Sequence, residues 1–278
     1  MSRPGPIAKQ AGFYVFLTVF VAAAVAPVLW VFKMSISPRT DLFETPPPIV
    51  PNHPTLHSYS TVFSDPVFRG ALVNSVILAG STTLIALVLG ALAAYPLARL
   101  RFRFKAGVLT TILSLAFFPT VAIIAPLFKE FGRLHLLDNL AGVIVVDTVF
   151  ALPLTVWILT AFFRKLPAEL EEAARVDGAS ILQILTKIIV PVSAPGVVTA
   201  GLLVFIFVWN EYLFANTFIF SQVHWPVTVA IPGFATIHSI DYGAQAAASI
   251  VVTVPLIVLV FVFQRRLVEG LTAGASKG

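Results

Sequence analysis

The chain has 278 residues, 58% of them apolar and only 11% charged, with a net charge of +5 and no cysteine. An average globular chain is about 25% charged, so a soluble domain is excluded, and the lack of thiols rules out disulfides and thiolate metal sites. The positive balance sits in short segments between apolar runs, which argues against nucleic acid as its partner.

Six runs are long enough to cross a hydrocarbon core about 30 Å thick at about 1.5 Å per residue. They lie near 12–33, 71–97, 107–128, 140–163, 196–220 and 244–264. The expected fold is all-α: a polytopic membrane protein forming a single transmembrane domain over 1–278. Arg3, Lys9 and the small residues Ala22, Ala24 and Ala26 share features with a secretory signal. The first run exceeds a signal core of about 7–15 residues, and Pro27 follows the last Ala-x-Ala, so an uncleaved first span is expected.

Loop charges orient the spans. With the N-terminus inside, thirteen Lys or Arg fall on inner segments and only Lys33, Arg39, Arg69, Lys129 and Arg133 on outer ones. This positive-inside bias places both termini on the cytoplasmic side.

The first outer loop, 34–70, carries Pro46, Pro47, Pro48, Pro51 and Pro54, which predicts extended backbone. Pro119, Pro126 and Pro153 inside spans are candidate kinks, although prolines also occur in membrane helices without such a role. The outer loop 221–243 has no Lys or Arg but holds His224, Trp225 and Tyr242. His53, His57, His135, His224 and His238 are scattered without ligand spacing, and no metal site is expected. The tail 265–278 is too glycine-rich to be a stable helix unaided.

The exception to this apolar pattern is a charged island between the fourth and fifth spans, 166–191. Pro167 suits a helix start, and Glu169, Glu171 and Glu172 favour the positive end of the helix dipole. Leu166, Leu170, Ala173 and Ala174 recur at helical spacing, so they are expected to share one shallow face. Gly178 follows Asp177 as a left-handed stop. A second amphipathic stretch, Ser180 to Val190, leads to Pro191 and back into the membrane. Taken alone, this helix-turn-helix could equally be a docking knob or a helix lying on the headgroups.

Polar groups inside spans face cavities or partner helices. Asp147, Asn210 and Glu211 fall in the outer half of the membrane, with Trp209 and Tyr212 flanking the latter two. Carboxylates, amides and aromatic faces suit sugar hydroxyls and rings, so Asp147, Trp209, Asn210 and Glu211 are candidate substrate-pathway residues. The alternative is that they pair across helix or subunit interfaces.

Glu172-Ala173-Ala174, three residues, Gly178, nine residues, then Ile188-x-Val190-Pro191 resembles the EAA loop of ATP-binding-cassette importer permeases, with Val190 where leucine is usual. Asn74-Ser75, Ala94-Tyr95-Pro96-Leu97-Ala98-Arg99, Phe150-Ala151-Leu152-Pro153, Trp209-Asn210-Glu211 and the ending from Gln264 to Ala275 are similar to carbohydrate importers. The resemblance is strongest to the maltose/trehalose type, specifically the six-span partner of its permease pair.

The resemblance implies a type I importer fold in a prokaryotic inner membrane. It assigns ATPase docking to Glu169, Leu170, Glu172, Ala173, Ala174, Asp177 and Gly178, and ATPase contact in the tail to Gly270, Leu271, Thr272 and Gly274. It implies partners: a second permease, two ATPase subunits and an extracytoplasmic sugar-binding protein, besides membrane lipid. No Gly-x4-Gly-Lys-Ser/Thr loop occurs, so the chain is expected to be non-catalytic, without a cofactor of its own, ATP and Mg belonging to the ATPases. The cargo implied is a disaccharide such as trehalose or maltose, with a polyol, oligosaccharide or glycerol phosphate as alternatives. An ion-coupled secondary transporter is the rival class; it would be supported by inverted repeats, and none is apparent.

Overall fold

In a bilayer every backbone polar group must be satisfied within the segment, which leaves helices as the economical solution for runs this apolar. The structure, a computed structural model, describes residues 6–100, 103–115, 117–235 and 240–275, with side chains described from residue 10 to 264 of these. Among the described residues there is no β-strand, only an isolated bridge between Ala235 and Ile240. The all-α fold is observed.

The main helices among the described residues are α1 (Pro6–Ile36), α2 (Pro66–Arg99), α3 (Lys105–Leu115), α4 (Thr120–Arg133), α5 (Leu140–Phe163), α6 (Glu169–Val176), α7 (Ile181–Val192), α8 (Ala194–Trp209), α9 (Leu213–Phe218) and α10 (Tyr242–Ala275). Among the described residues four helices are long and apolar enough to cross a membrane, and up to six spans result if each bent pair, α3 with α4 and α7 with α8, counts as one.

Two expected spans are therefore not straight. The run 107–128 is broken into α3 and α4, which meet at 83°. Pro119 stands at that break as the residue before α4, because a proline ring disfavours helical backbone in its predecessor. Pro126 and Pro153 lie within α4 and α5, which continue through them. The expected span 196–220 stops at Trp209; Asn210 caps α8, and the chain resumes as the short α9.

The segment 34–70 is also more structured than its prolines suggest. Short helices at Arg39–Phe43 and His57–Ser64 flank the extended stretch, and α2 already begins at Pro66. The backbone amide of Thr55 donates to the Ile36 carbonyl at 2.8 Å, and that of Asn52 to the Asp41 carboxylate at 2.8 Å. At the other end, α10 runs on to Ala275 instead of fraying at its glycines. A long preceding helix removes the nucleation penalty, so each added residue costs only its propensity, about 1 kcal/mol for glycine.

The chain divides into two compact units, one of Met1–Phe68 with Ile231–Val254, the other of Arg69–Ala230 with Pro255–Gly278. In the first, α1 carries exposed Phe13, Phe16, Phe20 and Trp30, as a helix solvated by lipid does. In the second, α5 is the central helix, with 61% of its apolar window buried. Gly90 of α2 lets α5 come close: a Cβ there would lie 2.5 Å from the Thr155 methyl.

Candidate functional site: a braced knob and a buried acidic level

The charged island folds as a helix-turn-helix. Helix α6 starts at Glu169, two residues beyond Pro167, with Glu169, Glu171 and Glu172 in its first turn. It ends at Asp177, and Gly178 adopts φ +80°, the left-handed region that disfavours any Cβ. The Ala179 amide closes the turn on the Ala174 carbonyl at 2.9 Å. A capping box opens α7: Ser180 Oγ accepts from the Gln183 amide at 3.3 Å, and Gln183 Oε1 accepts from the Ser180 amide at 2.8 Å. The middle of α7, Leu185–Ile189, widens to a π-helix, and α7 turns by 84° into α8.

The knob is seated on the helix bundle. Ala174, Ile184, Leu185 and Ile189 pack in one buried cluster with Ala91, Ala94 and Tyr95 of α2, Leu159 and Phe163 of α5, and Ala200 of α8. Leu166 packs partly buried against the same cluster. The expected common face of Leu166, Leu170, Ala173 and Ala174 is therefore split. Ala174 turns inward and is not available for docking, whereas Leu170 and Ala173 face outward. The inward stripe is Glu171 and Ala174, three residues apart, and the acid rather than an alanine completes it because cationic and phenolic partners wait beneath.

Those partners come from α2. Arg99 Nε forms an ion pair with Glu171 Oε1, and the Tyr95 hydroxyl donates to Glu171 Oε2 at 2.9 Å. Arg99 Nη1 donates to the Leu166 carbonyl at 3.0 Å. Arg175 Nη2 lies 3.5 Å from Glu171 Oε2, its side chain largely exposed. In the sequence Arg99 stands out as an inner-side charge and as the last residue of the motif Ala94–Arg99; its pairing with a residue 72 positions later leaves no local signal.

Outward, the knob presents Glu169, Glu172, Asp177 and Gly178, together with apolar side chains that hydropathy alone did not mark. Val176 is 88% exposed, Ile181 66% and Leu182 60%. Apolar groups so exposed are of the kind that mark protein or membrane interaction sites. Gly270, Leu271, Thr272 and Gly274 lie on the helical backbone of α10, but their side chains fall outside the described residues.

The acidic level inside the bundle differs from expectation. Glu211 does not offer a free carboxylate: it accepts the amides of Phe214 at 2.6 Å and Ala215 at 2.9 Å, capping α9. Trp209 is buried and stacks on Phe205 at 5.4 Å. Asn210 is exposed, its Nδ2 donating to the Ile206 carbonyl at 2.7 Å. Asp147 is fully buried on α5, and neither of its oxygens has a hydrogen-bond partner. In this conformation only Asn210 of the four is open to solute. Among the described residues no three His, Asp or Glu side chains gather as a metal site, and His238 lies outside them.

At the start of α5, opposite the knob-side end of that helix, the segment 219–228 is tied down. Asp138 accepts the Phe220 amide at 2.9 Å, the Ser221 amide at 2.7 Å and the Ser221 hydroxyl at 2.5 Å. These bonds, the Ser221 hydroxyl first, hold its carboxyl below the usual carboxylate range. Asn74 Nδ2 donates to the carbonyls of Val223 at 2.8 Å and Trp225 at 3.0 Å, and Ser75 Oγ accepts the Val227 amide at 2.9 Å.

Residues 86–272 match the model of the family described as binding-protein-dependent transport system inner membrane component. The chain is 41% identical over 274 residues to the trehalose transport system permease protein SugB of Mycobacterium tuberculosis, covering 98% of this chain and 99% of that protein. It is 34% identical to the sulfoquinovosyl glycerol transport system permease protein SmoH of Agrobacterium fabrum, covering 95% and 93%. A chain from a crystal structure of a bacterial ABC transporter involved in alginate import superposes with a TM-score of 0.79 at 24% identity, covering 95% of this chain and 99% of that one; this likeness supports the fold.

Proposed function

We propose, from the premise that the chain belongs to the family of binding-protein-dependent transport system inner membrane components, that it is a permease subunit of an ATP-driven sugar importer. The cargo proposed is a disaccharide of the trehalose kind, since the relative matching 98% of this chain is named for trehalose. A second cargo is favoured by one observation: a relative at 34% identity is named for a glycosylated glycerol. Both are glycosides, whose hydroxyl groups call for hydrogen-bonding partners during passage.

The observation that carries the reading is the knob. A rigidly seated helix pair with an exposed crown of Leu170, Val176, Ile181 and Leu182, ringed by Glu169, Glu172 and Asp177, supports docking of a separate ATPase subunit. Gly178, Ala173 and the tail at Gly270, Leu271, Thr272 and Gly274 belong to the same contact. A second permease, two ATPases and an extracytoplasmic binding protein complete the assembly, with ATP and Mg held by the ATPases. Both termini lie on the cytoplasmic side, following the distribution of Lys and Arg. ATP-driven closure of the ATPases moves the knob, and the bundle alternates between inward- and outward-open states.

Glu172→Lys tests this. It reverses an exposed charge on the docking rim and touches nothing buried. The expected result is normal membrane insertion with loss of ATPase co-purification and of labelled trehalose uptake. Retained co-purification overturns the docking role; uptake of a glycosylated glycerol but not trehalose overturns only the cargo.

A further inference from the structure

The buried ion group between α2 and α6 does more than the docking rim requires. Glu171 stands between exposed Leu170 and Glu172, yet its side chain is 5% exposed, and that of Arg99 is 15% exposed. Taking two charges out of water is costly, and an apolar pair would have joined the surrounding cluster without that penalty. What an ion group adds is direction. Apolar surfaces slide over one another at little cost, whereas a carboxylate held by a guanidinium and a phenol fixes one helix end against another.

The connections run to two elements. Arg99 is the last residue of α2 and Tyr95 lies one turn earlier, so both anchor the end of a 34-residue helix. Arg99 also holds the Leu166 carbonyl, in the segment linking α5 to α6. Any displacement of α6 must either drag α2 or break this group.

We infer that Arg99, Tyr95 and Glu171 are positioning residues that carry movement of the knob into the second span. The inference rests on the knob being the ATPase seat, and it separates two roles within one short helix. The rim residues hold the ATPase; Glu171, on the opposite side, passes the motion upward. Arg175, largely exposed and 3.5 Å from the same carboxylate, is an outer arm of the group.

The test uses the complete importer in proteoliposomes and compares Arg99→Gln, Glu171→Gln, Tyr95→Phe and the reversed pair Arg99→Glu with Glu171→Arg. In each, ATPase co-purification, ATP hydrolysis and solute taken up per ATP are measured. For the two glutamine variants the expected result is retained co-purification and hydrolysis, with uptake per ATP lowered about tenfold. The reversed pair recovers most of that loss, and Tyr95→Phe shows a smaller loss of the same kind. Because the chain has no cysteine, a nitroxide on Lys187→Cys, an exposed position of α7 outside the docking crown, adds a structural readout, its mobility rising in the glutamine variants. Unchanged uptake per ATP overturns the inference. So does loss of co-purification in parallel with uptake, which would make Glu171 a docking residue. Failure of every variant to insert, the reversed pair included, overturns it as well, reducing the group to a folding element. If Glu172→Lys in the same preparation still co-purifies with the ATPases, it is the docking reading that has failed.

Discussion

Glu171 and Asp147 are two buried carboxylates with opposite surroundings. Glu171 has a guanidinium and a phenol against it, whereas Asp147 has no hydrogen-bond partner for either oxygen. A buried charge with partners ties elements together, and its loss leaves the partner stranded. A buried acid without partners holds nothing in place in this conformation. Burial alone therefore says little about what a polar residue contributes; the company it keeps decides.

The comparison is broken most sharply by replacing each acid with an apolar residue. Glu171→Leu leaves the largely buried Arg99 with the Leu166 carbonyl in place of its ion-pair partner, a loss of about 3 kcal/mol. The expected outcome is a large fall in thermal unfolding temperature in detergent. Gly178→Leu comes next. A Cβ there meets nothing within 4 Å, so crowding in this chain is not the penalty. The penalty is the left-handed backbone, about 1–2 kcal/mol for a residue with a side chain. Trypsin cleavage after Arg175 is expected to accelerate as the turn loosens, and an unchanged rate would show that the turn relaxes freely.

Asp147→Val runs the other way. It removes two unsatisfied buried oxygens, and a gain in stability of about 1 kcal/mol is expected. If stability falls instead, Asp147 has a partner in another conformation of the transport cycle, and the contrast with Glu171 dissolves. A shift in apparent sugar affinity in this variant would put Asp147 back on the substrate pathway.

What the sequence disclosed follows the range of the interactions involved. Gly178 as a left-handed stop and Ser180 as the start of α7 were legible because both are set by neighbours within four residues. The inward turn of Ala174 was not, since it depends on Arg99 and Tyr95 lying beneath α6, far away along the chain. Choosing Leu166, Leu170, Ala173 and Ala174 as one face missed that an acid could occupy the buried stripe. The end of α8 at Trp209 had a readable signal: Asn210 can cap one helix and Glu211 the next, and hydropathy averaged over both. Continuation of α10 through its glycines was hidden because composition was judged without the preceding helix.

The smallest effect expected concerns the far end of α5, where the loop at 219–228 depends on a carboxylate that is partly exposed. Asp138 is held below the usual carboxylate range by the Ser221 hydroxyl and the backbone amides of Ser221 and Phe220, with His224 at 4.0 Å adding attraction when protonated. A depressed carboxyl contributes its stability above the value it has in the unfolded chain, about 3.9, and loses it as pH falls through the lower folded value. The loop should therefore stay tied from neutral pH down to about 4 and loosen only in stronger acid. Trp225 reports on this, because its carbonyl accepts from Asn74 in the same braced segment. Its fluorescence is expected to be flat across the neutral range with a step in acid, and Asp138→Asn should abolish the step while loosening the loop at every pH. A step that survives in Asp138→Asn would show that another group governs the segment, and Asp138 would then resemble Asp147, a carboxylate that ties nothing together, more than Glu171.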